Sequence, residues 1–459
     1  MNEHHLLPPP LTAEARRAGR LKFGCGRRLL LLFALGMLWV VPAFWIRSFL
    51  YLLIAWDAVL LLGWLLDLVR LPRSGELVVE RSWAGVPAIG CESQVILKLT
   101  NRSARALDCR MEDDPPAALR PSAGPVVKLV VAAKRSAVGH YQLRAVERGD
   151  HRIGHVHLRV RSMFDLAERW YRAPLAQEIR IYPNLEAAKR NTIYLMRSRQ
   201  IEMEKRRLRL RGMGREFDSL REYQEQDDFR DICWTATARR GKLVTKVYTI
   251  ERSQPVWIVL DTGRLLRTRV GALSKLDYAA DAALSLAQLA LYSGDRVGLL
   301  AYGRRIKQRV PLGRGNVHLR QIVEALAVVD VEIPEADHLR AAGTLLALQK
   351  RRGLVVWLTD LAETAMTPEV IEGASQMLAR NLLLFVVIGQ PELRDKAAER
   401  PESATAMYEM VAAQEMVQRR ELLLARLRDQ GALAMEVMPA QLSTALLNQY
   451  LAIKERSLV

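Results

Sequence analysis

Two long apolar stretches near the start of the chain constrain its fold more than any other feature. The first, Leu29–Ile46, extends about 27 Å at a helical rise of roughly 1.5 Å per residue, and the second, Phe49–Val69, is of similar length. Because only two residues separate them, we expect a tight hairpin of two transmembrane helices over residues 29–69. A cleaved signal peptide is the alternative, but no small-x-small cleavage site follows the first stretch.

Charges that flank these stretches indicate an orientation. The turn carries Arg47 alone, whereas the outer flanks carry Arg16, Arg17, Arg20, Lys22, Arg27, Arg28, Arg70, Arg73 and Arg81. Since cytoplasmic flanks are rich in cations, residues 1–28 are expected to form a basic cytoplasmic tail, and the soluble part is expected on the same side. Asp57, near the middle of the second stretch, predicts a polar contact, either within the hairpin or with another membrane subunit.

Residues 75–185 change to short runs in which apolar and polar residues alternate. Examples are SQVILKLTN and HVHLRVR, and Gly, Pro, Asn and Asp separate the runs. Alternation with a period of two is typical of strands that bury one face. We expect a small antiparallel β-sandwich of about seven strands.

Residues 186–250 begin with a helix-prone and strongly basic segment in a chain of net charge +18. Its cations run from Lys189 to Arg215, and Tyr194 is the one aromatic residue among them. Nucleic-acid binding is conceivable, but single strands are usually bound with more stacking aromatics. The alternatives are contact with anionic lipid head groups and a plain solvated linker.

Residues 251–459 alternate between buried-strand and helix patterns. The apolar runs PVWIVLD, RVGLLAY, LVVWLTD and NLLLFVVIG are separated by helical segments, and the strand ALAMEV precedes a closing helix. This order predicts a mostly parallel sheet covered by helices on both faces, which is a Rossmann-like α/β domain. The absence of GxGxxG and GxxxxGK[ST] from the sequence argues against dinucleotide and NTP binding.

Between Gly212 and Glu251, acids, bases and aromatics occur at spacings that fit neither a helix nor a strand. The segment resembles the signature of bacterial membrane-anchored proteins grouped as domain of unknown function 58 (DUF58). The matching residues are Gly212, Gly214, Glu216, Phe217, Leu220, Arg221, Tyr223, Asp227, Asp228, Arg230, Ile232, Trp234, Ala238, Arg239, Leu243, Lys246, Tyr248 and Glu251. Gln226 and Cys233 depart from the pattern. The resemblance implies a C-terminal domain similar to von Willebrand factor type A domains.

The signature predicts a charged clamp that binds a partner. Its expected partner-binding residues are Glu216, Arg221, Tyr223, Asp227, Asp228, Arg230, Trp234 and Arg239. Arginine binds carboxylates in bidentate fashion, and the rings of Phe217, Tyr223 and Trp234 are expected to cover the charges. The alternative is a structural ion-pair network that fixes the linker to the sheet domain. Catalysis is not expected, because no nucleophile with an adjacent base accompanies the acids.

The resemblance also raises the question of a divalent cation. Competent type A domains bind the cation through D-x-S-x-S after the first strand, a threonine and a later aspartate. This chain keeps Asp261 and Asp360 but has Gly263 and Leu265 at the serine positions, with Arg264 between them. Hard cations need several oxygen ligands, so we expect at most weak magnesium binding and no other cofactor.

These observations predict a non-catalytic scaffold or adaptor, multi-pass in the bacterial inner membrane, with its soluble domains in the cytoplasm. The resemblance implies that its partner is an AAA+ ATPase of the MoxR type, or a client of that ATPase, during assembly or remodelling of envelope proteins. Neither nucleic acid nor a small-molecule substrate is expected as a partner. The alternatives are a divalent-metal-dependent ligand-binding module and nucleic-acid or anionic-lipid binding through the basic linker.

Overall fold

A computed structural model describes most of the chain. The described residues are 6–18, 23–43, 45–122, 124–162, 164–190, 216–224, 227–249, 253–361 and 367–456. They form two compact units, Met1–Tyr182 and Pro183–Val459. Most of the basic linker and the start of the signature, including Gly212 and Gly214, lie outside the described residues, so nucleic-acid or lipid binding through that linker stays a prediction.

The first unit contains the apolar stretches. They fold as α1 (Arg27–Gly36), a 3₁₀ turn (Met37–Trp39), α2 (Val40–Ala43) and α3 (Ser48–Arg70). Among the described residues, only one helical segment, Ser48–Val69, with a mean hydropathy of 2.1, is long and apolar enough to cross a membrane. The prediction of two transmembrane helices is therefore wrong for the first stretch, which is not one continuous α-helix.

The interruption has a local cause. Gly36 lies so close to the Trp56 indole that a Cβ atom at this position would be 2.6 Å from the ring. Trp56 Nε1 donates a hydrogen bond of 3.2 Å to the carbonyl of Leu32, the acceptor that the Gly36 amide would use in a regular α-helix. Trp39 packs on Trp56 with 5.6 Å between ring centroids, and Pro42 then lacks the amide proton that a longer helix needs.

Antiparallel sheets complete the first unit. One sheet has the order β1-β4-β5-β9-β7, another has β2-β12-β11-β6-β8 with β3 also on β12, and β10 pairs with β13. The strands are β1 (Leu11–Glu14), β2 (Arg16–Arg17), β3 (Phe23–Cys25), β4 (Leu77–Trp83), β5 (Glu92–Asn101), β6 (Leu107–Glu112), β7 (Leu119–Pro121), β8 (Val126–Val131), β9 (Ser136–Ala145), β10 (Gly149–Ile153), β11 (Val156–Arg161), β12 (Ala167–Ala173) and β13 (Gln177–Ile181).

Strands β1 to β3 precede the apolar stretches and were not predicted from the sequence. They pair with β4 and β12, which follow those stretches. Both ends of the segment from α1 to α3 are therefore attached to the same sheets. If that segment enters a membrane, the chain enters and leaves on the same side.

The second unit is built on a six-stranded sheet of order β20-β19-β16-β21-β22-β23. Its neighbours pair in parallel, except that β20 is antiparallel to β19. Counted along the chain, this is the 3-2-1-4-5-6 order of doubly wound sheets. Its strands are β16 (Pro255–Asp261), β19 (Arg296–Tyr302), β20 (Ile306–Gly313), β21 (Leu354–Thr359), β22 (Leu382–Ile388) and β23 (Leu433–Val437).

Helices connect these strands, and two further pairs of strands lie outside the sheet. The hairpin strands are β14 (Glu216–Glu222), β15 (Val244–Thr249), β17 (Arg269–Val270) and β18 (Leu273–Ser274). The pair β14–β15 precedes β16, and the pair β17–β18 follows it. The helices are α4 (Trp234–Arg240), α5 (Lys275–Tyr292), α6 (Gly315–Ala327), α7 (His338–Leu348), α8 (Thr367–Leu378), α9 (Pro391–Ala398), α10 (Ala404–Asp429) and α11 (Leu442–Glu455). All residues of β16 and β21 are buried, as expected for strands covered on both faces.

Candidate functional site

The carboxyl ends of β16 and β21 form the first candidate site. These neighbouring strands lie where the strand order reverses direction, and open α/β sheets usually bind ligands outside the carboxyl ends at such a point. Asp261 is the last residue of β16, Thr359 is the last residue of β21, and Asp360 follows. The structure thus brings Asp261 and Asp360 to one edge of the sheet.

Asp261 orders the loop that follows its strand. It is 3% exposed; one carboxylate oxygen accepts the Gly263 amide at 2.7 Å, and the other accepts the Thr359 hydroxyl at 2.6 Å. Burial raises the pKa of this carboxyl from 3.8 to about 7, and the nearby charge of Asp360 adds to the increase. Asp261 therefore acts as a hydrogen-bond acceptor that is partly protonated at neutral pH.

Asp360 is held by two cations that were not predicted from the sequence. The ammonium of Lys275, at the start of α5, lies 2.6 Å from one carboxylate oxygen, and its side chain is fully buried. The guanidinium of Arg420, on α10, lies 3.1 Å from the other oxygen and also donates to the carbonyl of Leu361. Both oxygens of Asp360 are thus engaged by side chains of this chain.

The charge network continues away from the edge. Arg420 also pairs with Glu436 of β23 at 2.8 Å, and Arg394 of α9 binds the other oxygen of Glu436 at 2.6 Å. Burial opposes ionisation of Glu436, but the hydrogen bonds from both arginines lower its pKa. Alternating positive and negative groups therefore tie α5, α9, α10 and β23 to the end of β21.

The divalent cation implied by the type A resemblance does not fit this donor set. A hard cation needs several free oxygen ligands, but Asp360 is ion-paired twice, and Gly263 and Leu265 lack side-chain oxygens. The described residues contain no group of three or more His, Cys, Asp and Glu side chains placed to hold a metal. The Lys275 ammonium instead supplies a covalently attached positive charge beside Asp360.

One sequence signal pointed to Lys275. Ser274 and Asp277 form a capping box, so Lys275 occupies the first turn of α5. A cation is unfavourable at this end because the helix dipole is positive there. A lysine in the first turn of a largely buried helix therefore indicates a carboxylate partner elsewhere.

The signature segment forms the second candidate site. Strand β14 pairs with β15, and the connection between them contains a 3₁₀ turn, Phe229–Asp231, and α4. Arg221 pairs with Asp227 at 2.5 Å, and Asp227 also accepts the Gln224 amide at 3.0 Å. Asp228 caps the 3₁₀ turn by accepting the Arg230 amide at 3.0 Å. Part of the predicted clamp is therefore a local structural network; the Glu216 side chain lies outside the described residues.

Trp234 does not provide the aromatic cover predicted for this clamp, whereas the half-buried Tyr223 donates a hydrogen bond of 3.3 Å to the carbonyl of Asp227. The Phe217 side chain lies outside the described residues. Trp234 is 67% exposed and the neighbouring Phe229 is 72% exposed, because Ile232 and Val244 fill the small interior of the segment. Within the described part of the chain, the guanidiniums of Arg230 and Arg239 have no carboxylate partner. We call Phe229, Arg230, Trp234 and Arg239 the signature surface. Exposed aromatic residues and arginines are the side chains enriched in protein-binding hot spots.

Comparison with known families supports the resemblance for part of the chain. Residues 219–392 match the family described as protein of unknown function DUF58. An uncharacterized protein of Mycobacterium tuberculosis is 28% identical over 32% of this chain and 48% of the relative. The uncharacterized protein YeaD of Bacillus subtilis is 25% identical over 42% of this chain and 46% of the relative. The chain thus spans about half the length of the curated relatives it matches.

Solved structures also resemble the chain at low identity. The VWA domain of SpRpn10 is 14% identical, with 43% of this chain and 95% of that chain covered and a TM-score of 0.28. The conserved hypothetical protein BatB of Bacteroides thetaiotaomicron is 12% identical, with 44% and 100% covered and a TM-score of 0.30. At these TM-scores, the fold assignment rests on the strand order described above.

Proposed function

We propose that this protein is a non-catalytic scaffold of the bacterial inner membrane that recruits a partner through the signature surface. The partner is a MoxR-type AAA+ ATPase or a client of that ATPase, and the complex assembles or remodels envelope proteins. The observation that carries the proposal is the exposure of Phe229 and Trp234, together with that of Arg230 and Arg239, whose guanidiniums have no carboxylate partner among the described residues. The partner surface should be apolar at its centre and carry carboxylates around it.

The carboxyl edge of the sheet supports a non-catalytic role. Its buried charges neutralise one another within the chain, since Asp360 faces both Lys275 and Arg420. Asp261 is hydrogen-bonded to its own loop rather than directed at a reacting group. The edge thus provides a fixed platform and leaves recognition to the exposed signature residues.

The membrane location rests on α3 and on the connections of α1 and α3 to the sheets. Helix α3 has the length and composition of a spanning helix, and its outward-facing residues are apolar. Both ends of the segment from α1 to α3 join the same sheets, so a segment that enters the membrane returns to the side it came from. The cations on its outer flanks support the cytoplasm as that side.

A capture experiment with exposed-residue variants tests the partner proposal. The full chain, solubilised in detergent, is compared with Phe229→Ala/Trp234→Ala for binding to the purified MoxR-type ATPase of the same bacterium. We expect at least about tenfold weaker binding, because hot-spot aromatics commonly contribute more than about 1 kcal/mol each. The matched control is Tyr292→Ala/Tyr408→Ala, which removes two similarly exposed rings elsewhere in the second unit. Equal binding by the two double variants would exclude the signature surface, and no binding by the wild type would exclude the ATPase.

A further inference from the structure

A cavity of about 590 Å³ in the first unit lies beside the ends of the membrane segment. Arg28, in the first turn of α1, and Arg70, the last residue of α3, both line it. Arg105, in the connection between β5 and β6, and Arg161, the last residue of β11, also line it. Its volume is within the roughly 300–1,000 Å³ range of small-ligand sites. The chain thus places four guanidiniums around one opening, where it enters and leaves the apolar segment.

Three of these guanidiniums are unpaired within the described part of the chain. Arg28, Arg70 and Arg161 are exposed, and no carboxylate of the described residues lies within ion-pair distance of them. Arg105 donates a hydrogen bond of 3.1 Å to the carbonyl of Arg70, which fixes it against the end of α3. Such a cluster repels itself unless a mobile anion neutralises it.

Carboxylates at the cavity do not cancel this charge. Asp67 is buried and accepts hydrogen bonds from the Ser162 hydroxyl and the Leu166 amide, so it serves the junction between α3 and the sheet unit. Asp108 and Asp165 also line the cavity. The four guanidiniums still outnumber the three carboxylates, which favours a ligand with net negative charge.

The cavity also has an apolar part. Phe164 and Val130 line it and remain exposed. Close to the same end of α3, Phe23 packs on Trp64 with 5.6 Å between ring centroids. Cations together with exposed aromatic and aliphatic groups at the end of a spanning helix match the interface between head groups and acyl chains.

We propose that this cavity binds the phosphate head group of an anionic phospholipid. The guanidiniums bind the phosphate oxygens, as arginine does in charge-assisted pairs, and Phe164 and Val130 contact the start of the acyl chains. The inference rests on the membrane location proposed above but not on the signature surface. Bound lipid would brace α1, α3 and the sheets at the membrane surface.

Lipid titration of the full chain in a non-ionic detergent tests this site. Short-chain phosphatidylglycerol, phosphatidylcholine with the same chains, and inorganic phosphate are added separately, and binding is measured by native mass spectrometry and thermal stabilisation. We expect phosphatidylglycerol to bind preferentially and Arg70→Gln/Arg161→Gln to weaken that binding by about tenfold or more. The control, Arg120→Gln/Arg144→Gln, removes the same charge from two exposed arginines paired across strands β7 and β9.

The possible outcomes separate the explanations. Equal binding of phosphatidylglycerol and phosphatidylcholine, or an equal loss in the cavity and control variants, overturns the proposal. Saturation by inorganic phosphate at the same concentrations identifies a free-anion site and also overturns it. If the double variant does not fold, Arg28→Gln replaces it, since this exposed side chain makes no ion pair among the described residues. Capture of the ATPase by lipid-site variants shows separately whether the proposed partner function fails.

Discussion

At the scale of single residues, the carboxyl group that ends β16 should give the second unit a pH-dependent stability. Burial raises the pKa of Asp261 to about 7. The stabilisation from its extra bound proton is complete below the unfolded pKa of about 4 and is lost as the pH rises through about 7. At pH 8, we expect the free energy of unfolding of Asp261→Asn to exceed that of the wild type by on the order of 2–4 kcal/mol. Urea unfolding of the full chain, monitored by hydrogen exchange of the β16 amides, measures this difference in the free energy of unfolding.

The pH dependence of stability must be compared between the wild type and Asp261→Asn, because His338 contributes a pH dependence of the opposite sign to both proteins. Burial lowers the pKa of His338 to about 4, so its contribution is present above about pH 6.5 and is lost as the pH falls through about 4. The asparagine oxygen can still accept the Gly263 amide, and the Thr359 hydroxyl can donate to the carbonyl of Asp360, which lies 3.2 Å away. A difference between the proteins that stays constant from pH 5 to pH 8 would rule out Asp261 as the source.

The Lys275 ammonium should be required for stability. Lys275→Met leaves Asp360 with Arg420 as its one remaining cationic partner in the described network, and loss of one member of a buried pair costs about 3–5 kcal/mol. The matched control is Lys396→Met, whose pairs with Glu399 and Glu409 are exposed to solvent and should therefore contribute far less to stability. Thermal unfolding compares the variants.

Added magnesium distinguishes the two interpretations of the edge. Since Gly263 and Leu265 provide no side-chain oxygen, magnesium should not restore the stability lost in Lys275→Met. Recovery with magnesium, but not with the same ionic strength of sodium, would show that the edge still holds a divalent cation.

At the scale of elements, the sequence predicted the buried parallel strands well and the edges poorly. Strands β16, β21 and β22 are apolar on both faces, and this pattern has few other interpretations. Strand β20 was missed because it is an edge strand of mixed polarity. The first apolar stretch was misread because length and hydropathy do not reveal that Trp56, on another helix, binds a carbonyl of α1.

The last turn of α3 depends on a side chain from the sheet unit. Arg169 of β12 donates to the carbonyls of Leu68 at 3.0 Å and Pro72 at 3.2 Å. These bonds add to those that Leu68 accepts from the Leu71 amide and Pro72 accepts from the Tyr171 hydroxyl. Arg169→Met should raise the opening rate of amides near Leu71 by about 30-fold, since it removes two buried hydrogen bonds that contribute about 1 kcal/mol each. Hydrogen exchange measures this, with Arg172→Met, an exposed arginine on the same strand, as the control. Equal protection in both variants would mean that Arg169 is not needed as the cap.

At the scale of the whole molecule, the sites depend on contacts that local patterns cannot specify. Lys275 and Asp360 are 85 residues apart, and Arg420 lies 60 residues beyond Asp360. The signature identified Arg221 and Asp227 because these two residues are close in sequence. It did not reveal that Trp234 is exposed, because the signature segment buries few of its side chains. Residue identity therefore predicted which groups carry charge, whereas packing decided which of them remain available to a partner.

Membrane topology provides the test at this scale. Both ends of the segment from α1 to α3 are attached to the same sheets, so a spanning hairpin would expose its turn on the opposite side. In intact cells, Arg47→Cys should react with a membrane-impermeant maleimide, whereas Ala104→Cys, exposed on the sheet unit, should react only after permeabilisation. The native cysteines provide the background in the unmodified chain. If both substituted positions require permeabilisation, the apolar segment lies within one leaflet and does not cross, because a crossing hairpin must present residue 47 to the periplasm.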